Sequence, residues 1–422
     1  VEVTMKESNT LKFAIKHGFI QIFSANFINK VIQFGITIVL TRILEKKVYG
    51  SFIYAQNILN MFLLLEGLGM VSGILQYCSM EDDKEKKLSY LKYALKVGIL
   101  FNGLIAISII LFTLFFELPV KGSTEILGYF SLIPLLTIFF NEMQTFLRTE
   151  LRNKEFSILS VTNTFLFFIG NLVLGILFNI KGIVIGRYLS YILSIFLGIY
   201  MLKDDLKRLV HIDYPKLAER KEFLKYSIVC CLTSSMSQLL YLMDTFLVGL
   251  IIKDQSIVAS YKTATLVPFN LVFIPNSIIM FIYPYFAKKY DDKKWIKEKY
   301  NILQKYLFLF NAAITIFLII FAPQVINILF TKSYADSLST FRILMVGYFI
   351  SGTFRIPSGN ILSSMKEVKV NFYNSIISGV ANILLDIALI KKMGSNGAAI
   401  ATVAVYIISS LISNIYLHKK LK

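Results

Sequence analysis

The chemistry open to this chain rests on a few polar residues set in long apolar stretches. Five basic residues (Lys30, Arg187, Lys262, Arg342, Arg355) and four acidic ones (Glu66, Glu142, Asp244, Asp386) interrupt those stretches. A charged side chain at the centre of a membrane helix costs about 2.5–3.5 kcal/mol on insertion scales, and less near an end, where long side chains reach water. By their positions, Arg187, Lys262, Arg342, Glu142 and Asp386 fall close to expected helix ends and read as end residues. Lys30, Glu66 and Arg355 fall near mid-stretch, and Asp244 lies about two turns in. These four call for a wet cleft or for one another.

Their neighbours sharpen that reading. Asn26, Lys30, Gln33 and Thr37 are spaced 4, 3 and 4 residues apart, which puts them on one face of a helix. Ser234, Ser237, Tyr241 and Asp244 follow the same logic at 3, 4 and 3. Such a stripe lines either a cleft or a polar seam between helices. Arg355 has Ser351 and Ser358 on its face, and Pro357 and Gly359 just after it free backbone carbonyls.

The elements that must carry these residues are membrane spans. The chain is 56% hydrophobic with mean hydropathy +0.65, and about 20 apolar residues in helical form match a hydrocarbon core about 30 Å thick. Backbone groups in lipid must be satisfied internally, so the expectation is an all-α integral membrane protein. Twelve spans are predicted: Phe19–Leu40, Ser51–Cys78, Leu88–Phe116, Ile126–Leu147, Phe156–Phe178, Ile183–Leu202, Phe223–Leu250, Ile257–Ala287, Asn301–Ala322, Leu338–Ser364, Val370–Ile390 and Asn396–Leu417. The first run is full length and follows a basic amphipathic stretch, Met5–Gly18, so it reads as a span rather than a cleavable signal. Pro268 and Pro275, with Asn270, Asn276 and Ser277, predict a bend in the eighth span.

A net charge of +18 invites a nucleic-acid partner, but its distribution excludes one. Lys and Arg concentrate in alternate loops, the pattern of the positive-inside rule, which places both termini in the cytoplasm. The basic loops then set topology and meet anionic lipid headgroups. Catalytic signals are thin. Cys78, Cys230 and Cys231 have no metal-binding spacing, and His17, His211 and His418 all lie in cytoplasmic segments. No phosphate-binding G-x-x-x-x-G-K-[ST] loop occurs. No enzyme, metal site or organic cofactor is expected. Energy for any transport would come from a gradient, with H⁺ or Na⁺ as coupling ion and Glu66 and Asp244 as candidates to bind it or to balance the basic residues.

The chain also repeats itself. Gly182 to Leu202 aligns without gaps on Gly397 to Leu417, with Tyr191/Tyr406 and Ser194/Ser409 among the matches. Gly170-Asn171 resembles Ala381-Asn382, and Tyr49–Ala55 resembles Val258–Ala264. The offsets lie between 209 and 215 residues, near half the chain. Six spans per half give parallel repeats, residues 1–210 and 211–422, with a site near the midplane between them. The polar faces of the first and seventh spans are equivalent in that repeat.

Arg42-Ile-Leu-Glu-Lys-Lys-Val-Tyr49-Gly50-Ser-Phe52-Ile-Tyr-Ala55 resembles the polysaccharide flippases of the multidrug/oligosaccharidyl-lipid/polysaccharide exporter superfamily (Wzx-type O-antigen and capsule flippases). So do Asp244–Gly249 with Ser260–Ala264, the eighth span ending Tyr283-Pro284, and Gly397-Ala-Ala-Ile-Ala-Thr402. The resemblance covers the whole chain through diffuse motifs. It implies two six-helix bundles in a MATE-like V, alternating access, and a polyprenyl-pyrophosphate-linked oligosaccharide moved from the cytoplasmic to the outer leaflet of a bacterial plasma (inner) membrane. It also implies work alongside polysaccharide polymerase and chain-length proteins. Lys30 and Arg355 suit pyrophosphate oxygens, Lys as a point charge and Arg as a bidentate fork. Asn26, Gln33, Asn60, Ser237 and Tyr241 suit sugar hydroxyls.

Two rival functions stay open at this level. A cation-coupled multidrug antiporter of the same superfamily would want a cavity richer in carboxylates and aromatics. A membrane-embedded polysaccharide polymerase would want a large outer loop bearing Arg or His, and the longest outer segment, Pro323 to Ser337, carries only Lys332 and Asp336 as charges.

Overall fold

The computed structural model describes residues 19–422, without the side chains of residues 19, 20, 237, 240 and 368; the Met5–Gly18 stretch lies outside the described residues. Among these there is no strand. Eight helices are long and apolar enough to cross a membrane, or up to ten if each of two bent pairs is one span. Their exposed surfaces carry large apolar side chains, such as Leu114, Phe115, Phe178 and Phe196. Their interiors carry Asn102, Asn171, Asn311 and Thr315 instead. That inversion is what a lipid solvent selects, because the polar groups need protein partners.

The count differs from the expected twelve for two local reasons. Residues Asn153–Met201 form one 49-residue run, in which only Asn179 leaves helical conformation (φ 52°, ψ −133°). The stretch from Leu338 to Ser364 is divided by a wide turn, Ser351–Arg355, so neither flanking piece is span length by itself. Pro357, at the start of the second piece, lacks the N–H that a regular turn there would use. Pro268 and Pro275, expected to bend the eighth span, flank Val272, where helix Gln255–Leu271 gives way to Phe273–Lys288; Val272 keeps helical φ and ψ (−56°, −21°), and the two helices run as one 34-residue span.

The chain forms two compact units. Unit 1 contains the residues up to Glu45, Ala55–Leu118 and Gly122–Leu239; unit 2 contains Lys46–Tyr54, Pro119–Lys121 and Leu240–Lys422. The helix that begins at Lys46 enters unit 1 at Ala55 and gives way after Leu63 to a break, where Gly67, Leu68 and Gly69 all have positive φ. Asn102 anchors the break: its Oδ1 accepts from Gly67 N–H at 2.7 Å and its Nδ2 donates to Pro134 O at 2.6 Å. The Leu64 carbonyl freed there accepts from the Ser235 hydroxyl.

The repeat seen in the sequence recurs as geometry inside each unit. Asn179 and Gly394 (φ 60°, ψ −137°) turn the chain in nearly the same way, 215 positions apart. Three residues later, Gly182 and Gly397 sit hard against the preceding helix. An added Cβ would lie 1.8 Å from Leu174 O in one and 2.2 Å from Leu389 O in the other. One internal bond also recurs, displaced by a turn. Asn163 donates to Ser190 O and Ser194 Oγ, both at 3.2 Å. Asn374 donates to Ser409 O and Ser413 Oγ at 3.0 and 2.8 Å.

Candidate functional site

In unit 2 the polar residues gather around Asp244. Its Oδ2 accepts from Tyr261 OH at 3.1 Å and from Thr402 Oγ1 at 2.9 Å. Asn382 lies beside it, and the Asp386 carboxyl faces it. Four helices supply these groups: Leu217–Ile252, Gln255–Leu271, Val368–Met393 and Ser395–Lys420. All five residues are buried, and Asp386 has no exposure. Neither Asp386 oxygen receives a hydrogen bond, and no cation pairs with either aspartate among the described residues. Two facing carboxyls in such surroundings attract one another only through a proton or a cation between them. Carboxylate, amide and hydroxyl oxygens are hard donors, which suit a small monovalent or alkaline-earth type of ion rather than a soft metal.

One tyrosine links this cluster to a cation. The Arg355 guanidinium lies over the Tyr406 ring, 5.1 Å from its centroid, and its Nε donates to Ser409 Oγ at 3.2 Å. Tyr406 is also within electrostatic range of Asp244 and Tyr241. Tyr241 itself is 63% exposed. The wide turn Ser351–Arg355 carries Arg355 at its end, beside the helix that supplies Tyr406 and Thr402. Arg355, Tyr241 and Asp244, three residues singled out by sequence, are therefore all within electrostatic range of a fourth that was not.

Unit 1 holds the others. Asn26, Lys30 and Gln33 are exposed along the helix Phe19–Ile43, with Thr37 half-buried on the same face. Asn60 is exposed near the end of Lys46–Phe62. Glu66 lies in the break, where its Oε2 accepts from Asn141 Nδ2 at 3.1 Å. Ser234 is exposed, and the side chain of Ser237 lies outside the described residues. Within unit 1 Lys30 forms no ion pair with Glu66, and within unit 2 Arg355 forms none with Asp244, among the described residues.

Glu142 and Asp386, read from sequence as end residues, are both fully buried. Their helices end at Thr149 and Met393, within three residues of the expected ends, so the burial comes from neighbouring helices and not from position along the chain. Arg187 does not reach outward either. It stacks over Phe167 and Tyr191, with ring centroids 4.3 and 4.8 Å away, and donates to Tyr191 OH at 3.0 Å. Asp386 did leave a sequence signal: Asn382 precedes it by one turn, in the segment that repeats Gly170-Asn171.

The family described as polysaccharide biosynthesis protein matches residues 15–290. The probable low-salt glycan biosynthesis flippase Agl15 of Haloferax volcanii is 22% identical over 417 residues, covering 94% of this chain and 82% of that protein. An uncharacterized membrane protein of Methanocaldococcus jannaschii is 23% identical over 314 residues; the match takes in 70% of this chain and 59% of that protein's length. Among solved structures, an inward-facing multidrug resistance MATE family transporter of the MOP superfamily has TM-score 0.76 at 16% identity, covering 93% of this chain and 94% of that one. Lipid II flippase MurJ, in an inward closed conformation, has TM-score 0.74 at 18% identity, with 94% and 87% covered. These likenesses show the fold.

Proposed function

The chain belongs to the polysaccharide biosynthesis protein family, and from that membership we propose that it is a flippase for a polyprenyl-pyrophosphate-linked oligosaccharide. It moves the saccharide from the cytoplasmic to the outer leaflet by alternating access, in a bacterial plasma membrane with both termini cytoplasmic. In this reading Asn153–Met201 crosses twice, turning at Asn179, and Leu338–Ser364 crosses once, which brings ten spans to twelve in two bundles of six. The product is a lipid-linked saccharide on the outer surface, where a polymerase and chain-length proteins act next.

The observation that carries the reading is the shared position of Tyr406, between Arg355 and the buried Asp244 cluster. A guanidinium suits a pyrophosphate, and a dicarboxylate suits a coupling ion. One ring under the guanidinium and within electrostatic range of Asp244 lets occupancy of one site be felt at the other. Lys30, with Asn26, Gln33 and Asn60, contributes polar groups from unit 1, and Ser237 and Tyr241 add hydroxyls for the sugars. The prenyl tail stays in the bilayer.

The test is translocation of a polyprenyl-pyrophosphoryl saccharide in proteoliposomes, with a Na⁺ or H⁺ gradient imposed in turn. Movement should exceed that in empty liposomes and depend on one gradient. Arg355→Ala should slow it about tenfold or more, the worth of a charge-assisted bond of about 1.5–3 kcal/mol; Lys30→Ala should act in the same direction. Gradient-driven export of cationic drugs, with no movement of the glycolipid, would make the protein an antiporter instead.

A further inference from the structure

Unit 1 contains a second pair of carboxylates, one fully buried and one half-buried, that the Asp244 cluster does not explain. Glu142 has no exposure, and neither of its oxygens has a hydrogen-bond partner. Its neighbour is Glu66, which acts on it electrostatically. Glu66 Oε1 is likewise buried without a hydrogen-bond partner among the described residues, while Oε2 accepts from Asn141 Nδ2. Three of the four carboxylate oxygens in the pair are therefore unmet.

The surroundings are specified on every side. Glu142 Oε1 presses on Gly98, where an added Cβ would lie 2.3 Å from it. Thr137 is beside Glu66, but its hydroxyl donates to Pro134 O at 3.0 Å. Asn102 of the neighbouring helix is fully engaged by Gly67 and Pro134. Of the other titratable groups nearby, Cys231 and Tyr191 are within electrostatic range of Glu66. Arg187 is held by Tyr191 and Phe167 and pairs with neither carboxylate. Among the described residues no basic side chain pairs with either carboxylate, yet the pair must be balanced by a positive charge to remain in a membrane interior.

We infer that Glu66 and Glu142 share one exchangeable proton and form a cation site of their own inside unit 1. The bond formed is O–H on one carboxylate oxygen, with the hydrogen donated to an oxygen of the other carboxylate. Release returns the proton to water, and no redox partner is involved. A proton fits better than a metal ion here. Asn141 presents its N–H to Glu66 rather than its oxygen, and the Gly98 backbone leaves Glu142 no room to draw back around an ion. Resting on the flippase reading, each half then carries one dicarboxylate, and two positive charges move per transport cycle.

The proton is read on purified protein in nanodiscs, with no transport needed. Infrared difference spectra across a pH change should contain the carbonyl stretch of a protonated carboxyl group. That band should disappear in Glu142→Gln and in Glu66→Gln and survive in Asp244→Asn. If the glutamine variants do not fold, Asn141→Leu keeps both carboxylates, removes the one donor to Glu66, and should shift the band. A band unchanged in all three unit 1 variants overturns the proposal. So does radiolabelled sodium bound by the parent protein and lost from Glu142→Gln, which would make the pair a metal site. Failure of glycolipid transport with the band intact would count against the flippase reading alone.

Discussion

Substituting alanine for the two repeat glycines tests whether the halves close by the same contact. At Gly397 an added Cβ would stand 2.2 Å from Leu389 O, and at Gly182 it would stand 1.8 Å from Leu174 O, where ordinary contact begins at 3.4 Å. Each pair of helices must part by about 1 Å or more, enough to forfeit a quarter to a half of the dispersion energy at each separated contact. Overpacking of this kind costs about 1–3 kcal/mol, partly offset by the better helix propensity of alanine, about 1 kcal/mol. At about 2–4 °C per kcal/mol for a unit of this size, the midpoint should fall by up to about 10 °C. The chain reports each unit separately. Its single tryptophan, Trp295, lies in unit 2 against Phe286, at 5.2 Å between ring centroids. All three cysteines lie in unit 1, with Cys78 and Cys231 buried. In a Cys230→Ser background, Gly397→Ala should lower the Trp295 fluorescence transition. Gly182→Ala should lower the transition at which Cys78 and Cys231 become reactive to a thiol dye. Gly359→Ala is the control, because its added Cβ meets only Asn371 Oδ1 at 3.5 Å. If both repeat variants melt with the control, the close approach does not hold the helices and the structural basis of the repeat fails.

The turns before those glycines give a reciprocal expectation. Asn179→Gly should stabilise unit 1 and Gly394→Asn should destabilise unit 2, each by about 1 kcal/mol, because φ is positive at both positions; the same two reporters check it, and a change of the same sign at both refutes it. A pH dependence is expected at Glu367, whose Oε1 lies 2.6 Å from Lys420 Nζ and whose Oε2 accepts from Tyr416 at 3.0 Å. Lys420 first, and Tyr416 after it, hold that carboxyl below the usual carboxylate range. Its contribution is therefore present above the unfolded carboxylate value and lost as pH falls through the lower folded one. The pair lies at the surface, so solvent screens it and its contribution is small. Glu367→Gln should lower the Trp295 transition slightly at neutral pH and match the parent protein in strong acid, since Met365 and Trp295 belong to one apolar cluster. A difference that persists in acid would assign the effect to packing.

The sequence alone established that this is a helical membrane protein, because hydrocarbon thickness and the ban on unpaired backbone groups leave little choice for runs so long and apolar. The repeat was also legible: Gly182 and Gly397 stand at the same offset as the turns at Asn179 and Gly394, and a close backbone approach leaves few residues but glycine in place. Arg355, Tyr241 and Asp244 were legible as residues out of place in lipid, and they do share a neighbourhood. The tertiary structure decided what surrounds each of them. Helical spacing gives the face a residue occupies, but not which helix covers that face or how deeply. Glu142 and Asp386 therefore looked like residues near an end, and they became buried partners of Glu66 and Asp244 only when other helices closed over them. The break at Gly67–Gly69 was hidden in the same way. Its glycines permit positive φ, but Asn102, more than thirty positions away in the chain, is what holds the opened backbone in place.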